Sequence, residues 1–283
     1  MKIRSIRSIY YPLTIPRPER LRRWVRKIGY GQADVVARGK VSAVQYLLPA
    51  PSPGTAGKRI AFATDFHYGG TPRDRELAAL ATEHIRTFRP DVLCLGGDLA
   101  ADAVELDVLP ELLEQFRDCA PVRLAIPGNW ERGKTWLAAD YWQRLYGASG
   151  ICYLCNSGVE CGEFYFYGCD ELMNGDPRLP ERWPAGRFPV LLVHRPDTAI
   201  ALDSLRALDP VLLILCGHTH GGQVRFPLFG PLYASSRYGC RLDYGLFERH
   251  GAGTRMIVSS GIGNRSLRFR FRCRREVVLI EFT

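Results

Sequence analysis

A layered α/β fold is what this sequence predicts, because short apolar runs end in sharp polar turns and, in the first half, helical spacing follows them. Residues 59–64, 92–95, 122–126, 190–193 and 211–216 are too short for helices and apolar enough for strands buried on both faces. Leu77, Leu80, Ala81, His84 and Ile85 recur at helical spacing within 73–88, and a second helix is expected over 104–116. This alternation of strand and helix is the pattern of an α/β layer architecture.

The remaining elements follow in chain order. Residues 18–31 open with Pro and Glu and close on Gly29 and Gly31, which predicts a helix. Leu21, Trp24, Val25 and Ile28 would form its apolar face and five Lys or Arg the rest. Two readings stay open: an interfacial helix on anionic lipid with Trp24 near the headgroups, or a helix packed on its own domain. A Pro-rich link at 48–54 leads into the body. Residues 151–169 read as strand, turn and strand around Asn156-Ser157-Gly158, and 256–260 and 267–281 as further strands. Between Arg265 and Arg275, arginine alternates with Leu267, Phe269, Phe271 and Cys273, which predicts a strand with one basic face.

Charge divides the chain. The 283 residues carry +9 in total, and residues 1–40, with eleven Lys or Arg against Glu19 and Asp34, account for all of it. We therefore expect a basic arm over 1–40 and one domain over 41–283. A neutral body offers no long track for a phosphate backbone, so nucleic acid is not the expected partner. Nine cysteines, scattered and odd in number, and an N-terminus without the apolar core of a secretory signal predict a reducing cytoplasm. Cys152, Cys155, Cys161 and Cys169 lack the paired spacing of a zinc knuckle and are expected as buried thiols on strands. No apolar run reaches the roughly 18 residues that a membrane-spanning helix needs.

The chemistry lies in the turns. Asp65, His67, Asp98, Asn129, His194, His218 and His220 all stand where an apolar run stops. Carboxyl ends of neighbouring strands form one rim, so seven metal-capable side chains are expected in one crevice. A carboxylate shared between two cations offsets their repulsion, imidazoles suit Mn, Fe, Zn or Ni, and an amide adds a neutral oxygen. Two cations roughly 3.5–4 Å apart can grip both the attacking and the leaving oxygens of an in-line displacement, the geometry of phosphate ester hydrolysis.

The ordered set Asp65-x-His67, Gly97-Asp98, Gly128-Asn129, His194 and Gly217-His218-Thr219-His220 resembles the signature of calcineurin-like metallophosphoesterases. The resemblance implies a four-layer α/β/β/α sandwich of two mixed sheets flanked by helices. It also implies that Asp65, His67, Asp98 and His220 hold one metal, that Asp98, Asn129, His194 and His218 hold the other, and that a bridging hydroxide is the nucleophile. Manganese is the first expectation for both metals, with iron or zinc as alternatives. Asp98, Asn129 and His194 are the expected catalytic residues, and Trp130 and Arg195 the candidate substrate contacts.

Residues 217–227 and 260–263 resemble a bacterial branch that includes membrane-associated phosphodiesterases and a UDP-2,3-diacylglucosamine pyrophosphatase of lipid A synthesis. This implies a phosphodiester or pyrophosphate substrate, lipid- or nucleotide-linked, and a place at the inner membrane reached through residues 1–40. The retromer subunit of this fold supplies a contrasting reading, a binding scaffold on a retired site, against which the seven intact ligands stand. In purple acid phosphatases a Tyr falls three residues after the aspartate of Asp98; here it is Ala101. One departure matters: the family usually reads Gly-Asn-His before an acid, and this chain reads Gly128-Asn129-Trp130-Glu131. Indole has no proton that titrates at neutral pH, so Trp130 cannot be a general acid.

Overall fold

The structure is a computed structural model that describes residues 24–26, 32–38, 40–100, 106–134, 136–138, 140–203, 207–231, 233–264 and 269–283. Two seven-stranded mixed sheets form its centre. One contains β2 (Gln32–Arg38), β3 (Val41–Leu48), β4 (Arg59–Ala63), β5 (Val92–Leu95), β6 (Val122–Ala125), β7 (Cys152–Tyr153) and β16 (Arg275–Phe282), in the order β2-β3-β16-β4-β5-β6-β7. The other contains β1 (Trp24–Arg26), β8 (Ser157–Cys161), β9 (Phe164–Gly168), β10 (Phe188–Leu192), β11 (Leu213–Cys216), β14 (Gly245–Arg249) and β15 (Arg255–Val258), in the order β1-β14-β15-β11-β10-β9-β8. A separate small hairpin pairs β12 (Arg225–Phe226) with β13 (Gly230–Pro231).

Period-two alternation sorts the strands between layers. On β4, Ile60 and Phe62 enter the core between the sheets, whereas Ala61 and Ala63 face the helices. On β11, Leu213 and Leu215 enter that same core, while Ile214 and Cys216 join a third cluster with Trp24, Ile200 and Met256. Both faces of β4 and β11 are buried, as their unbroken apolar runs require. The helical side of the first sheet is covered by α1 (Pro72–Phe88), α2 (Leu109–Glu114) and, beyond the short α3 (Asn129–Gly133), α4 (Tyr141–Ala148). On the second sheet, α5 (Pro196–Leu202) packs Ala199 and Ile200 inward. Thr71 caps α1 by accepting from the Asp74 amide, Pro72 takes its first turn, and Arg89 closes it in the left-handed region. The result is the expected four-layer α/β/β/α sandwich.

Four sequence expectations change. Trp24–Arg26 is a strand, not part of a helix: it pairs antiparallel with Phe247–Arg249, and Trp24 is buried at 6% exposure. Burial of the indole in the outer core outweighs the local helical spacing there; the rest of 18–31 lies outside the described residues. With Gln32–Arg38 also paired to β3, strands contributed from within residues 1–40 belong to both sheets.

The turn expected at Asn156-Ser157-Gly158 is instead a crossing from one sheet to the other, with Asn156 at φ 50°. The true hairpin joins β8 and β9 across Gly162 and Glu163. The basic strand is absent among the described residues before Arg275: 269–274 is irregular, with one bridge from Phe271 to Val224, and Arg272 at φ 49° breaks the extension. Finally, Cys152 is exposed and Cys155 and Cys161 half-buried, so only Cys169 of that set is a buried thiol.

Candidate metal centre

The site is built where the two sheets present their carboxyl ends together. Three neighbouring parallel strands, β4, β5 and β6, lead to Asp65, Asp98 and Asn129, and the parallel pair β10 and β11 leads to His194, His218 and His220. The chain must turn sharply at each exit. Asp65, His67, Asp98, His218 and His220 all take positive φ, between 44° and 67°. Such conformations cost side-chain-bearing residues roughly 1–3 kcal/mol each and persist only where surroundings enforce them. Neighbouring glycines permit the crowding: a Cβ at Gly217 would overlap the Asp65 carboxylate, and one at Gly128 would overlap Asp98.

The side chains converge in two groups. Asp65, His67 and His220 offer ligand atoms within 4.8 Å of one another, as do Asp98, His194 and His218. All six residues are buried. His67 Nε2 lies 3.1 Å from His220 Nε2, and His220 Nε2 lies 3.6 Å from Asp65 Oδ1. In the other group His194 Nε2 lies 3.1 Å from His218 Nδ1 and 3.2 Å from Asn129 Oδ1. Asp98 Oδ2 stands between them, 3.3 Å from His194 Nε2 and 3.9 Å from His67 Nε2.

Ring nitrogens aimed at one another and at carboxylate oxygens fit a shared cation better than a hydrogen-bond network. Asp65 Oδ1 is buried without a hydrogen-bond partner, whereas its Oδ2 accepts from Thr64 Oγ1 and the His218 amide. An orphaned buried oxygen is costly unless a cation satisfies it. His194 Nδ1, 2.8 Å from the Gly96 carbonyl, is set to donate there and leave Nε2 free for a metal.

Charge without metal follows the same logic. Burial raises the Asp65 carboxyl above its ordinary value and lowers the His67 imidazole. For Asp98 and His194, burial opposes both charges, yet their mutual attraction wins: Asp98 falls to about 2 and His194 rises to about 10. A proton on His194 thus occupies the place in the charge balance that a cation would take.

A family model described as calcineurin-like phosphoesterase matches residues 58–222. The chain belongs to that family. Phosphodiesterase YaeI of Escherichia coli K12 is 28% identical over 265 residues, spanning 89% of this chain and 92% of the relative. The uncharacterized metallophosphoesterase YkuE of Bacillus subtilis 168 is 27% identical over 269 residues, 89% of this chain and 88% of its own. Among solved structures, a dimetal phosphatase from Danio rerio aligns with 81% of this chain and 100% of its own at 12% identity and a TM-score of 0.49. The protein is therefore a metal-dependent phosphoesterase, and its family carries a binuclear divalent metal centre.

Around the centre of this phosphoesterase, two residues outside the ligand set do structural work. Glu131 is buried, and its carboxylate accepts from the backbone amides of Asp98, Leu99 and Gly128 at 2.8–3.0 Å, tying the β5 and β6 exit loops together. Its place in the Asn-Trp-Glu run was the only signal. Arg270, expected on an exposed basic face, turns inward: it donates to the carbonyls of Ser260, Gly263 and Arg274, and its Nη2 lies 3.3 Å from His220 Nδ1.

The two substrate-contact candidates differ. Trp130 lies at the rim, 40% exposed, with its ring edge-on to His67 at 6.1 Å and the Lys134 ammonium 5.9 Å from the ring centre. The Arg195 guanidinium is engaged by Glu171 at 2.7 Å and touches Met173, so it braces the loop beside His194.

Proposed function

We propose that this phosphoesterase hydrolyses a phosphodiester or pyrophosphate bond whose leaving group departs as a stable anion, with a UDP-2,3-diacylglucosamine-like lipid-linked nucleotide as the leading substrate. The reading rests on one observation: seven strand-end side chains close on two buried foci, with Trp130 at the position where the family usually carries a histidine. Asp65, His67 and His220 would hold one cation and Asn129, His194 and His218 the other, with Asp98, which stands between the two groups, shared by both. When bound, the two cations supply Lewis-acid activation of water and of the phosphoryl oxygens. The nitrogen and oxygen donor set suits manganese, iron or zinc, and manganese is the first candidate.

The chain's own groups do the rest. Asp98 accepts from the Trp130 amide through Oδ1, which orients its carboxylate and would leave Oδ2 for the cations. The indole offers a planar apolar wall and one N–H donor to a substrate on the rim, and it has no proton to give a departing alkoxide. A phosphate-ester leaving group needs no such proton. Work at an anionic membrane surface accords with the excess of Lys and Arg in residues 1–40.

The test compares kcat/KM for a UDP-sugar lipid and an alkyl phosphodiester, in the natural protein and in Trp130→His. The natural protein should strongly prefer the pyrophosphate. The histidine variant should gain on the alkyl ester, by up to the roughly 10²–10⁴ that general acid catalysis contributes. Equal activity on both substrates in the natural protein contradicts the leaving-group argument.

A further inference from the structure

We propose that the hairpin of β12 and β13, together with Phe269 and Phe271, is an interfacial docking surface that seats the metal crevice against an anionic lipid bilayer. This rests on the membrane-surface reading above and gives it a place in the fold. Ten large hydrophobic side chains are exposed among the described residues, and six of them, Phe226, Leu228, Phe229, Tyr233, Phe269 and Phe271, belong to this region. They are not scattered. Arg225 N donates to Phe271 O and Phe271 N to Gln223 O, Gln223 Nε2 donates to Phe269 O, and the Phe226 and Phe271 rings lie 6.1 Å apart. Contiguous exposed apolar surface of this kind marks an interaction site, whereas single exposed leucines do not.

The tip is the strongest feature. Leu228 is fully exposed, Phe229 is 85% exposed, and Leu228 holds φ 66°. Glycine or asparagine is the ordinary choice for a left-handed turn position, so a leucine there is strained locally and gains no burial within this fold. A bilayer interface would supply that burial.

Charge selects the occupant. Residues 223–241 and 269–275 contain seven arginines and no Asp or Glu; Arg225 and Arg274 pair with Asp243 and Glu276 just outside these ranges, and Arg270 turns inward. Of the seven, Arg237, Arg241 and Arg272 are exposed. A second copy of the chain meeting this face across a two-fold axis would bring arginine against arginine, which opposes association. An anionic bilayer accepts both parts: apolar tips enter the acyl boundary and guanidinium groups stay among the headgroups. The location suits the reaction, because the hairpin begins five residues after His220 and Cys273 Sγ donates to the His220 carbonyl.

The experiment uses the full metal-loaded chain and vesicles of phosphatidylcholine, with and without phosphatidylglycerol. The natural protein should bind the anionic vesicles at least roughly ten-fold better, and increasingly weakly as salt rises. Leu228→Asp with Phe229→Asp should lower that binding at least roughly ten-fold while hydrolysis of a water-soluble phosphodiester and metal content stay unchanged. Because residues 1–40 are also basic, a Leu228→Trp variant reads the position itself: its fluorescence should be quenched by brominated lipid. Undiminished vesicle binding by the double variant overturns the proposal, as does an indole at 228 untouched by brominated lipid. Self-association of the natural protein that the double variant abolishes also overturns it, and assigns the patch to a second copy. Vesicle binding through the hairpin without cleavage of the UDP-sugar lipid leaves this inference standing and removes the proposed substrate.

Discussion

Asp98 carries two tasks that conflict without a cation. It must stay ionised while wholly buried, and it must lie near two imidazoles that burial would keep neutral. In the metal-free protein the conflict is settled by a proton on His194, whose pKa rises from 6.5 to about 10 as Asp98 drops to about 2. The signs follow directly. A raised histidine stabilises the metal-free fold fully below pH 6.5 and loses that contribution as pH climbs towards 10; a depressed aspartate contributes above its usual 3.8 and loses it as pH falls towards 2. Metal entering this group must displace the proton. Apparent affinity should therefore rise with pH, by up to roughly ten-fold per unit, while His194 still carries that proton, and level off as pH reaches about 10, with about one proton released per ion at that group. Calorimetric titration in buffers of different ionisation enthalpy measures the release; affinity flat with pH would show His194 already neutral.

At the level of elements, the loops that carry Asp65, Asp98 and His218 take strained turns, with glycine backbone packed against them too closely for a side chain. Gly217 sits against the Asp65 carboxylate and Thr64, where β11 exits beside β4. Gly217→Ala should therefore leave both seven-stranded sheets intact yet displace Asp65, lowering metal affinity by about ten-fold or more, readable as metal content after dialysis at fixed free Mn²⁺. Circular dichroism would report the unchanged fold. These strand ends were legible in the sequence because buried parallel strands are unbroken apolar runs and their exits are marked by Gly, Asp and His. The edges were not. Trp24–Arg26 has helical spacing, but its strand is fixed by pairing with residues more than 220 positions away, which no local window contains. Residues 269–274 alternate like a strand, but only one bridge pairs the segment, and Arg270 turns inward to backbone carbonyls. Glu131, too, takes its meaning from amides that come together only in the fold.

Across the whole molecule, two sheets contribute to one crevice, with β4 to β6 supplying one side and β10 and β11 the other. Neither sheet alone holds a complete group, since Asp65 and His67 need His220, and Asp98 needs His194 and His218. Packing of one sheet on the other therefore sets how the two groups face each other, and bound cations would in turn tie the sheets together. Filling both groups should stabilise the fold by mass action, about 2.7 kcal/mol for each site held at a hundred-fold excess over its Kd. The described residues include no helix long and apolar enough to cross a membrane. The most direct measurement is the metal content of the protein reconstituted with Mn²⁺, beside that of Asp98→Asn. The account predicts two ions per chain in the natural protein, and in the variant weakened binding at both groups and no turnover, with the fold retained. One ion or none in the natural protein, or full activity in Asp98→Asn, would contradict it.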